Sequence, residues 1–528
     1  MLKKLVERIC PSGVVIAFMF GIIGGIVFSL VFRVAFFDSW LWVVFVILVT
    51  IFAVIKPNYL FVVVMLVIGA VLGATRVSGE LKGQEAFRKI VGETVTISGE
   101  IKGDPDFQGG YYKIKLKNIM MNGENIRGVI YVSGRSKNEI RRNDRLTISG
   151  KMAEGFGVYA GSFFDPNIVE LKRPEKESVL LKFREKFAGA VKGAFSENSE
   201  NPEENVKAPG EREANLGLSY LLGMRNGLDS ELTEILSMVG LTHIVVASGT
   251  HLGILVETFR KVFGRISRFA GMYFGILFIV LFGGMIGWTA SITRAGIVAI
   301  LGILGWYVGR KFEAWRIILI AMATTLLIEP MNVVDLGWLL SFGAFIGIMV
   351  VGPMVTEFFY GKWGERRETS ERGPGVVAEI VIATISATLM CAPILLYFFG
   401  SLSLISVVAN LLILPTIPVA MGLTFLTGLI GFFPFSGRGS IIFKIIRLPV
   451  VKITTILLKY HIAVMTFFSK QTGFIIQIPK NNPKVFLLYI PILAPFVFGS
   501  FVRARNKQKQ MKLIQKYPER YIRLTRDR

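Results

Sequence analysis

Long apolar runs separated by short polar breaks dominate this chain, and the lengths of those runs set its class. Runs near Pro11–Phe32, Trp40–Ile55 and Tyr59–Thr75 open it, with Lys56-Pro57-Asn58 as a tight turn between the last two. A crossing helix needs about 20 apolar residues, so the first run spans easily and the next two are short spans. From about Val91 to Lys172 the period changes to two, as in Thr94-Val95-Thr96-Ile97-Ser98, Tyr112-Lys113-Ile114-Lys115-Leu116, Gly128-Val129-Ile130-Tyr131-Val132 and Arg145-Leu146-Thr147-Ile148-Ser149. Such alternation predicts the strands of a small closed or nearly closed sheet. Hairpin turns are expected at Asp106-Phe107-Gln108-Gly109-Gly110 and Met121-Asn122-Gly123. About five strands in roughly eighty residues fit an OB-like barrel.

Val179 to Phe195 then reads as a surface helix, and Ser196 to Glu204, which has no apolar residue, as a mobile linker. Further spans are expected near Ala270–Trp288, Ile292–Val308, Ile317–Ile328, Leu336–Pro353 and Val376–Phe399, with a charged loop from Gly361 to Gly375. Leu402–Phe433 reads as one long helix or as two short ones broken at Pro415 and Pro418. Leu448–Phe468 carries Lys452, Lys459 and His461, the pattern of a helix lying in the interface rather than crossing. The last span falls near Val485–Val502. The fold class is therefore a polytopic α-helical membrane protein of about 10–12 spans with one small all-β OB-like soluble insert. Its expected domains are a three-span anchor (1–76), the barrel (77–172), a charged linker (173–215), a transmembrane bundle (216–502) and a basic tail (503–528).

Composition sharpens this reading. A chain of 528 residues that is 52% hydrophobic excludes a string of soluble domains, and 55 glycines suit closely packed membrane helices. The formal net charge is +23. Most of that follows from the inside-positive bias and attraction to anionic lipid, although a polyanion such as DNA would use the same surplus. Lys3, Lys4 and Arg8 place the N-terminus in the cytoplasm. Arg260, Lys261, Arg265 and Arg268, then Arg310, Lys311 and Arg316, mark inner loops, and Arg503 to Arg528 marks a cytoplasmic tail. Three crossings from an inside start put the barrel outside. The first run is followed by two more and lacks a small-residue cleavage site, so it is expected to be an anchor. Cys10 and Cys391 make neither a disulfide framework nor a metal motif.

The stretch from Leu216 to Leu255 resists explanation by packing. It carries two of the three histidines, His243 and His251, with Ser248, Thr242, Thr250, Gly240, Gly249 and Gly253, after a glycine-punctuated turn containing Arg225 and Asn226. In Gly240-Leu241-Thr242-His243 and Ser248-Gly249-Thr250-His251-Leu252-Gly253 it resembles the signature of the ComEC competence family, with Thr250 where that family usually has Leu. Ser291, Arg294 and Ala295 resemble a second block of the same family. Leu340, Ser341 and Phe342 after Asp335 resemble a third, with Leu339 where Gln is usual. Phe398 to Pro415, with Asn410 as its matched polar position, resembles a fourth. The resemblance implies a three-span anchor, an OB-like insert and a competence-type channel bundle passing single-stranded DNA through the cytoplasmic membrane during transformation. No cofactor is implied. The implied partners are single-stranded DNA, membrane lipid, a separate DNA receptor, a separate nuclease and a cytoplasmic ATPase motor. The nuclease is expected elsewhere because no H-x-H-x-D-H cluster follows His461.

The candidate path residues are Arg225, Asn226, His243, Ser248, Gly249, His251, Ser291, Arg294, Asp335, Ser341 and Asn410. An ionisable group within a membrane span is a functional candidate by default. Arg294 either binds passing phosphates or pairs with Asp335 or Glu329 to hold helices together. Asn410 suits a helix–helix hydrogen bond as well as a substrate contact. The histidines are either satisfied by neighbours or line a hydrated path. As metal ligands they lack a nearby third. Ser248 and His251, one turn apart, imitate a nucleophile and base, but no G-x-S-x-G elbow supports hydrolysis of lipid or glycan. On the barrel, Tyr111, Tyr112, Lys113, Lys115 and Tyr131 are candidate single-strand contacts, set against the plainer reading of a solvated face. No G-x-x-x-x-G-K-[ST] loop is present, so a separate motor or a gradient is expected to supply energy. A scaffold that merely anchors an extracellular binding module is the remaining alternative.

Overall fold

A computed structural model of the chain describes residues 11–33, 60–108, 110–136, 139–175, 178–196, 210–245, 249–309, 312–360, 375–432, 439–491 and 494. The expected span at Trp40–Ile55, most of the linker, Ser248, most of the Gly361–Gly375 loop and the tail lie outside these residues, as does much of Val485–Val502. Two compact units are present, residues 1–342 with 408–473, and residues 343–407 with 474–528.

In the first unit, α1 (Pro11–Phe32) and α2 (Leu60–Lys89) run parallel, locked by glycines on both sides. A Cβ at Gly21 or Gly25 would strike the backbone carbonyls of Leu66 and Ala70, and one at Gly69 or Gly73 those of Phe18 and Ile22. These reciprocal small-x-x-x-small pairs let the two backbones touch. The sequence ends the third span near Thr75, but α2 runs on to Lys89 and is 30 residues in all, about 45 Å at helical rise. Its last turns leave the apolar pattern and deliver Phe87 into the core of the barrel.

The barrel begins at β1 (Thr94–Ile101), followed by β2 (Asp106–Gln108), β3 (Tyr111–Met121), β4 (Glu124–Ile126), β5 (Ile130–Gly134), β6 (Arg145–Lys151), β7 (Ala153–Glu154), β8 (Gly161–Phe164) and β9 (Asn167–Lys172). The order β7-β8-β5-β3-β1-β6-β9 includes one parallel pair, β5 with β8. Five strands, β8-β5-β3-β1-β6, carry the OB-like topology, and Gly150 of β6 faces Phe163 of β8 across the seam that nearly closes it. The β3–β4 hairpin turns where expected, on Asn122 and Gly123 with φ of 52° and 84°, left-handed values that Asn and Gly tolerate. Ile97, Ile101, Ile114, Leu116, Ile130, Val132, Leu146, Ile148 and Phe163 fill the interior.

The bundle follows as α3 (Val179–Ser196), α4 (Glu211–Leu222), α5 (Ser230–Val239), α6 (Thr242–Val245), α7 (Gly249–Gly264), α8 (Arg268–Ile286), α9 (Ala290–Val308) and α10 (Ala314–Ile328). Next come α11 (Leu336–Ile346), α12 (Gly352–Tyr360), α13 (Val376–Phe399), the strand β10 (Ser401–Ser403), α14 (Ser406–Ile413), α15 (Ile417–Phe432), α16 (Gly439–Ser469) and the strand β11 (Ile475–Gln477). Among the described residues eight helical stretches are long and apolar enough to cross a membrane.

Three expectations change. Instead of lying on the surface, α3 buries Phe187, Val191 and Phe195, and its Phe187 and Ala190 fit against Gly428 and Gly431 of α15. The Leu448–Phe468 segment, read as interfacial, is long and apolar enough to cross, and it buries Thr454, Leu458, His461 and Met465 along one face. The Ile317–Ile328 segment is a helix of only 15 residues. It ends where Pro330 predicts a break, in a 3-10 turn from Pro330 to Val334. The Leu402–Phe433 ambiguity resolves as two helices, α14 and α15, parted by a 3-10 turn at Pro415.

Arginines of α2, the barrel and α3 close the C-termini of three bundle helices. Arg76 donates to the carbonyls of Leu327 and Ile328, both at 3.0 Å. Arg142 donates to those of Met285 (3.2 Å) and Ile286, and Arg184 to that of Leu222 (3.3 Å). Asp104 holds Arg142 and Arg184 together at 2.9 and 2.6 Å, and Lys102 pairs with Glu329. Cations at helix C-termini satisfy orphan carbonyls and the macrodipole together.

In the second unit a π-helical turn, Gly347–Val351, lies between α11 and α12, and Gly347 packs on the backbone of Ser386 in α13. β10 and β11 pair antiparallel, and Tyr489 Oη donates to the Met390 carbonyl at 2.9 Å.

Candidate functional site

The central stretch folds back on itself. After α4 ends at Leu222, Gly223 to Leu228 runs back along that helix, tied by Asn215 Nδ2 donating to the Gly227 carbonyl at 2.7 Å. Arg212 pairs with Asp229 at 3.0 Å and Glu231 at 3.2 Å. Asp229 also caps α5, accepting from Leu232 N at 2.6 Å. Arg225 and Asn226 are exposed on this return segment.

Three of the sequence blocks converge on Arg294. Its guanidinium lies against Gly249 at the start of α7, where a Cβ would stand 2.7 Å from Nη2 and 3.1 Å from the Cβ of Ala295. Its Cζ lies over the Phe342 ring at 5.9 Å. Gly249, Arg294 and Phe342 come from three segments far apart in the chain, yet a methyl group at the first would displace the second. Ser291 stands one turn before Arg294, and Ser341 adjoins Phe342 on α11.

Asp335 and Glu329, the two acids that the sequence offers to Arg294, are engaged elsewhere. Asp335 caps α11 by accepting from Trp338 N at 2.8 Å, and Glu329 pairs with Lys102. His243 is exposed, with Nδ1 3.1 Å from the Gly240 carbonyl. Asn410 is buried, and its Oδ1 has no hydrogen-bond partner among the described residues.

His251 is 3% exposed and packs edge-on to Tyr220, ring centroids 6.5 Å apart. His461 also packs on Tyr220, ring centroids 5.7 Å apart, and its Nε2 is 2.7 Å from Thr416 Oγ1. Sequence reading singled out His251 but neither Tyr220 nor Thr416, and it assigned His461 to the interface. The available signal was that polar residues in apolar helices are few, and that His461 recurs in step with the buried positions Thr454, Leu458 and Met465.

On the barrel, the residues of β3 alternate. Lys113 and Lys115 flank the core residue Ile114 and point outward beside Tyr131 of β5. Tyr112 takes the core-facing phase and packs against the interior and Phe107, so it leaves the candidate face. Tyr111 instead receives a hydrogen bond from Arg135 Nη2 at 2.6 Å, with the guanidinium 4.7 Å from its ring. Tyr131 joins Phe156 and Tyr159, each at 5.3 Å, and Phe164 at 6.3 Å, with Lys115 Nζ 5.6 Å from the Tyr159 ring. Burial pushes the Tyr131 phenol above its ordinary range, partly offset by a hydrogen bond with Ser133. Phe156 is 49% and Phe164 62% exposed. Both loop and strand aromatics thus crown the face formed by the second and third OB strands, the face with which such barrels hold oligomers. The Gly155-Phe156-Gly157-Val158-Tyr159 loop was the sequence signal for Phe156 and Tyr159.

Eight membrane-length helices, a barrel carried on one of them and a guanidinium lodged between glycine and phenylalanine define a multi-pass membrane protein with an internal polar centre. The profile of the competence protein family matches residues 220–502, more than half of the chain, and the chain belongs to that family. It is 25% identical over 201 residues to ComE operon protein 3 of Bacillus subtilis (strain 168). That match covers 37% of this chain and 23% of the relative, so the compared region spans less than a quarter of the longer protein. No solved structure matches.

Proposed function

We propose that this protein takes part in DNA uptake by passing one strand across the cytoplasmic membrane, with the barrel outside and both termini inside. The observation that carries the reading is the meeting of Gly249, Arg294 and Phe342 in the bundle. A guanidinium seated inside a membrane protein, beside a glycine that lets a chain approach, suits phosphate recognition, since guanidinium binds phosphate bidentately. The barrel face of Lys113, Lys115, Tyr131, Phe156, Tyr159 and Phe164 supports the same reading, because stacking aromatics among lysines hold single strands without regard to sequence. In this scheme a receptor delivers DNA, another protein removes the second strand, and a cytoplasmic motor or a gradient pulls. No metal or cofactor is called upon.

The test is uptake of labelled DNA by cells carrying Arg294→Ala or Arg294→Lys, with the amount of membrane-inserted protein measured in parallel. Arg294→Ala is expected to abolish uptake at normal protein level, and Arg294→Lys, which keeps charge but loses the planar fork, to restore only part of it. Full uptake by Arg294→Ala would defeat the proposal.

A further inference from the structure

Glu213, Gly217 and Tyr220 stand on one face of α4, at helical spacing. Glu213 lies at the floor of an open groove of about 480 Å³, shared with Arg212, Lys459, Thr466 and Lys470. At Gly217 the absent side chain admits Thr424 of α15, whose Oγ1 would be 2.7 Å from a Cβ there. Tyr220 follows, in ring contact with both His461 and His251. Tyr220, Thr424, His251 and His461 are each 3% exposed or less.

Among the described residues Thr424 Oγ1, Tyr220 Oη, His251 Nδ1 and His461 Nδ1 have no hydrogen-bond partner. A dry, unpaired polar atom costs about 1–3 kcal/mol, and here four belong to residues gathered around α4. Proteins usually resolve such a cluster with internal water, which needs just this set of donors and acceptors. An imidazole with a hydroxyl on one nitrogen and an open second nitrogen is also the group that relays protons in membrane bundles.

We propose that this cluster, from Glu213 in the groove to His461 and His251, is a hydrated proton path, separate from any route for DNA. The Glu213 carboxylate collects protons from the groove, in the field of Lys459, Lys470 and Arg212, the last already held by Asp229 and Glu231. Through water and the Tyr220 hydroxyl a proton reaches His461 Nδ1. The ring then gives its Nε2 proton to Thr416 Oγ1, whose own hydroxyl proton, held on the Ile413 carbonyl at 2.8 Å, leaves to water at the break before α15, where Pro415 is exposed, and tautomer exchange resets the imidazole. Only N–H and O–H bonds are made and broken, and no net charge stays behind. Tyr460, whose ring centroid is 5.8 Å from that of His461, walls the relay on its own helix.

The path stands whether or not DNA is the transported polymer, and its test contains no DNA. The full chain is reconstituted in phosphatidylcholine–phosphatidylglycerol vesicles holding a pH-sensitive dye. An external acid step is applied with potassium and valinomycin present to cancel charge build-up. Wild type is expected to admit protons faster than protein-free vesicles. Glu213→Gln, Tyr220→Phe and His461→Gln should each fall to the protein-free rate, while Lys452→Gln, on the exposed face of α16, keeps the wild-type rate. His461→Gln risks unfolding, so Tyr220→Phe, which removes one oxygen and leaves the packing, decides. Wild-type flux no greater than that of empty vesicles overturns the proposal. So does Tyr220→Phe retaining the wild-type rate, as deletion of an idle hydroxyl would.

Discussion

Arg294 is fitted closely against Gly249 and Phe342, and this makes Gly249 the sharper residue to change. An added methyl would stand 2.7 Å from Nη2 and 3.1 Å from the Cβ of Ala295, so the guanidinium must shift off Phe342 or α7 must move. Gly249→Ala is therefore expected to lower DNA uptake strongly while the protein still inserts, measured as labelled-DNA uptake per inserted molecule. Asp335 invites the opposite expectation. As the cap of α11 its loss to Ala costs about 1 kcal/mol, and Asn, which caps equally well, costs almost nothing. Thermal unfolding in detergent checks both, and uptake by Asp335→Asn should equal wild type. A membrane hydrolase using Asp335 as its acid predicts loss with Asn. The blocks that met at Arg294 were legible because each carries an unusual residue in an apolar setting. Tyr111 and Tyr112 both stand among the candidate single-strand contacts, but alternation parts them: successive strand residues face opposite sides, so only one of the two can lie on the outer face.

At the scale of elements, α2 decides how the barrel is mounted. Its apolar run ends near Thr75, and Ser78, Glu80, Lys82, Gln84 and Glu85 hide from the eye a helix that nonetheless continues to Lys89. Hydropathy reports the solvent around a helix, not its length, so the span was legible and its extension was not. The same limit applied to α3, whose polar face read as a surface helix while its apolar stripe found Gly428 and Gly431. The glycines of α1 and α2 give this mounting a direct test. Gly25 abuts the backbone of Ala70, whereas Gly24, its neighbour, has nothing within 4 Å of a would-be Cβ. Gly25→Leu is expected to part the helices and expose the barrel attachment to added protease in membrane vesicles. Gly24→Leu should leave the digestion pattern as in wild type. Equal digestion of both variants would deny the glycine lock.

Across the molecule, the barrel and the bundle are joined by charge as well as by α2, since Arg142 of the barrel closes α8, Lys102 pairs with Glu329 and Asp104 holds Arg184 of α3, while Arg76 of α2 closes α10. Each such cation contributes on the order of 0.3–1 kcal/mol when exposed and more when desolvated. Helices ending at Leu222, Ile286 and Ile328 therefore keep fixed positions beneath the barrel. A strand held on the outer face of β3 and β5 would be presented to a rigid platform. Binding on that face is an electrostatic quantity with a predictable salt dependence, because each phosphate neutralised on a single strand contributes about 0.7 to the slope of log affinity against log salt. Replacing Lys113 and Lys115 together by Gln should weaken binding of a fluorescent oligothymidylate to the full chain in nanodiscs and flatten that slope by about 1.4. Phe156→Ala with Phe164→Ala should weaken binding about as much but leave the slope unchanged, because stacking releases no counterions. If the lysine pair changed neither affinity nor slope, they would be the solvated face that alternating Lys usually signals, and single-strand capture would have to occur on another surface.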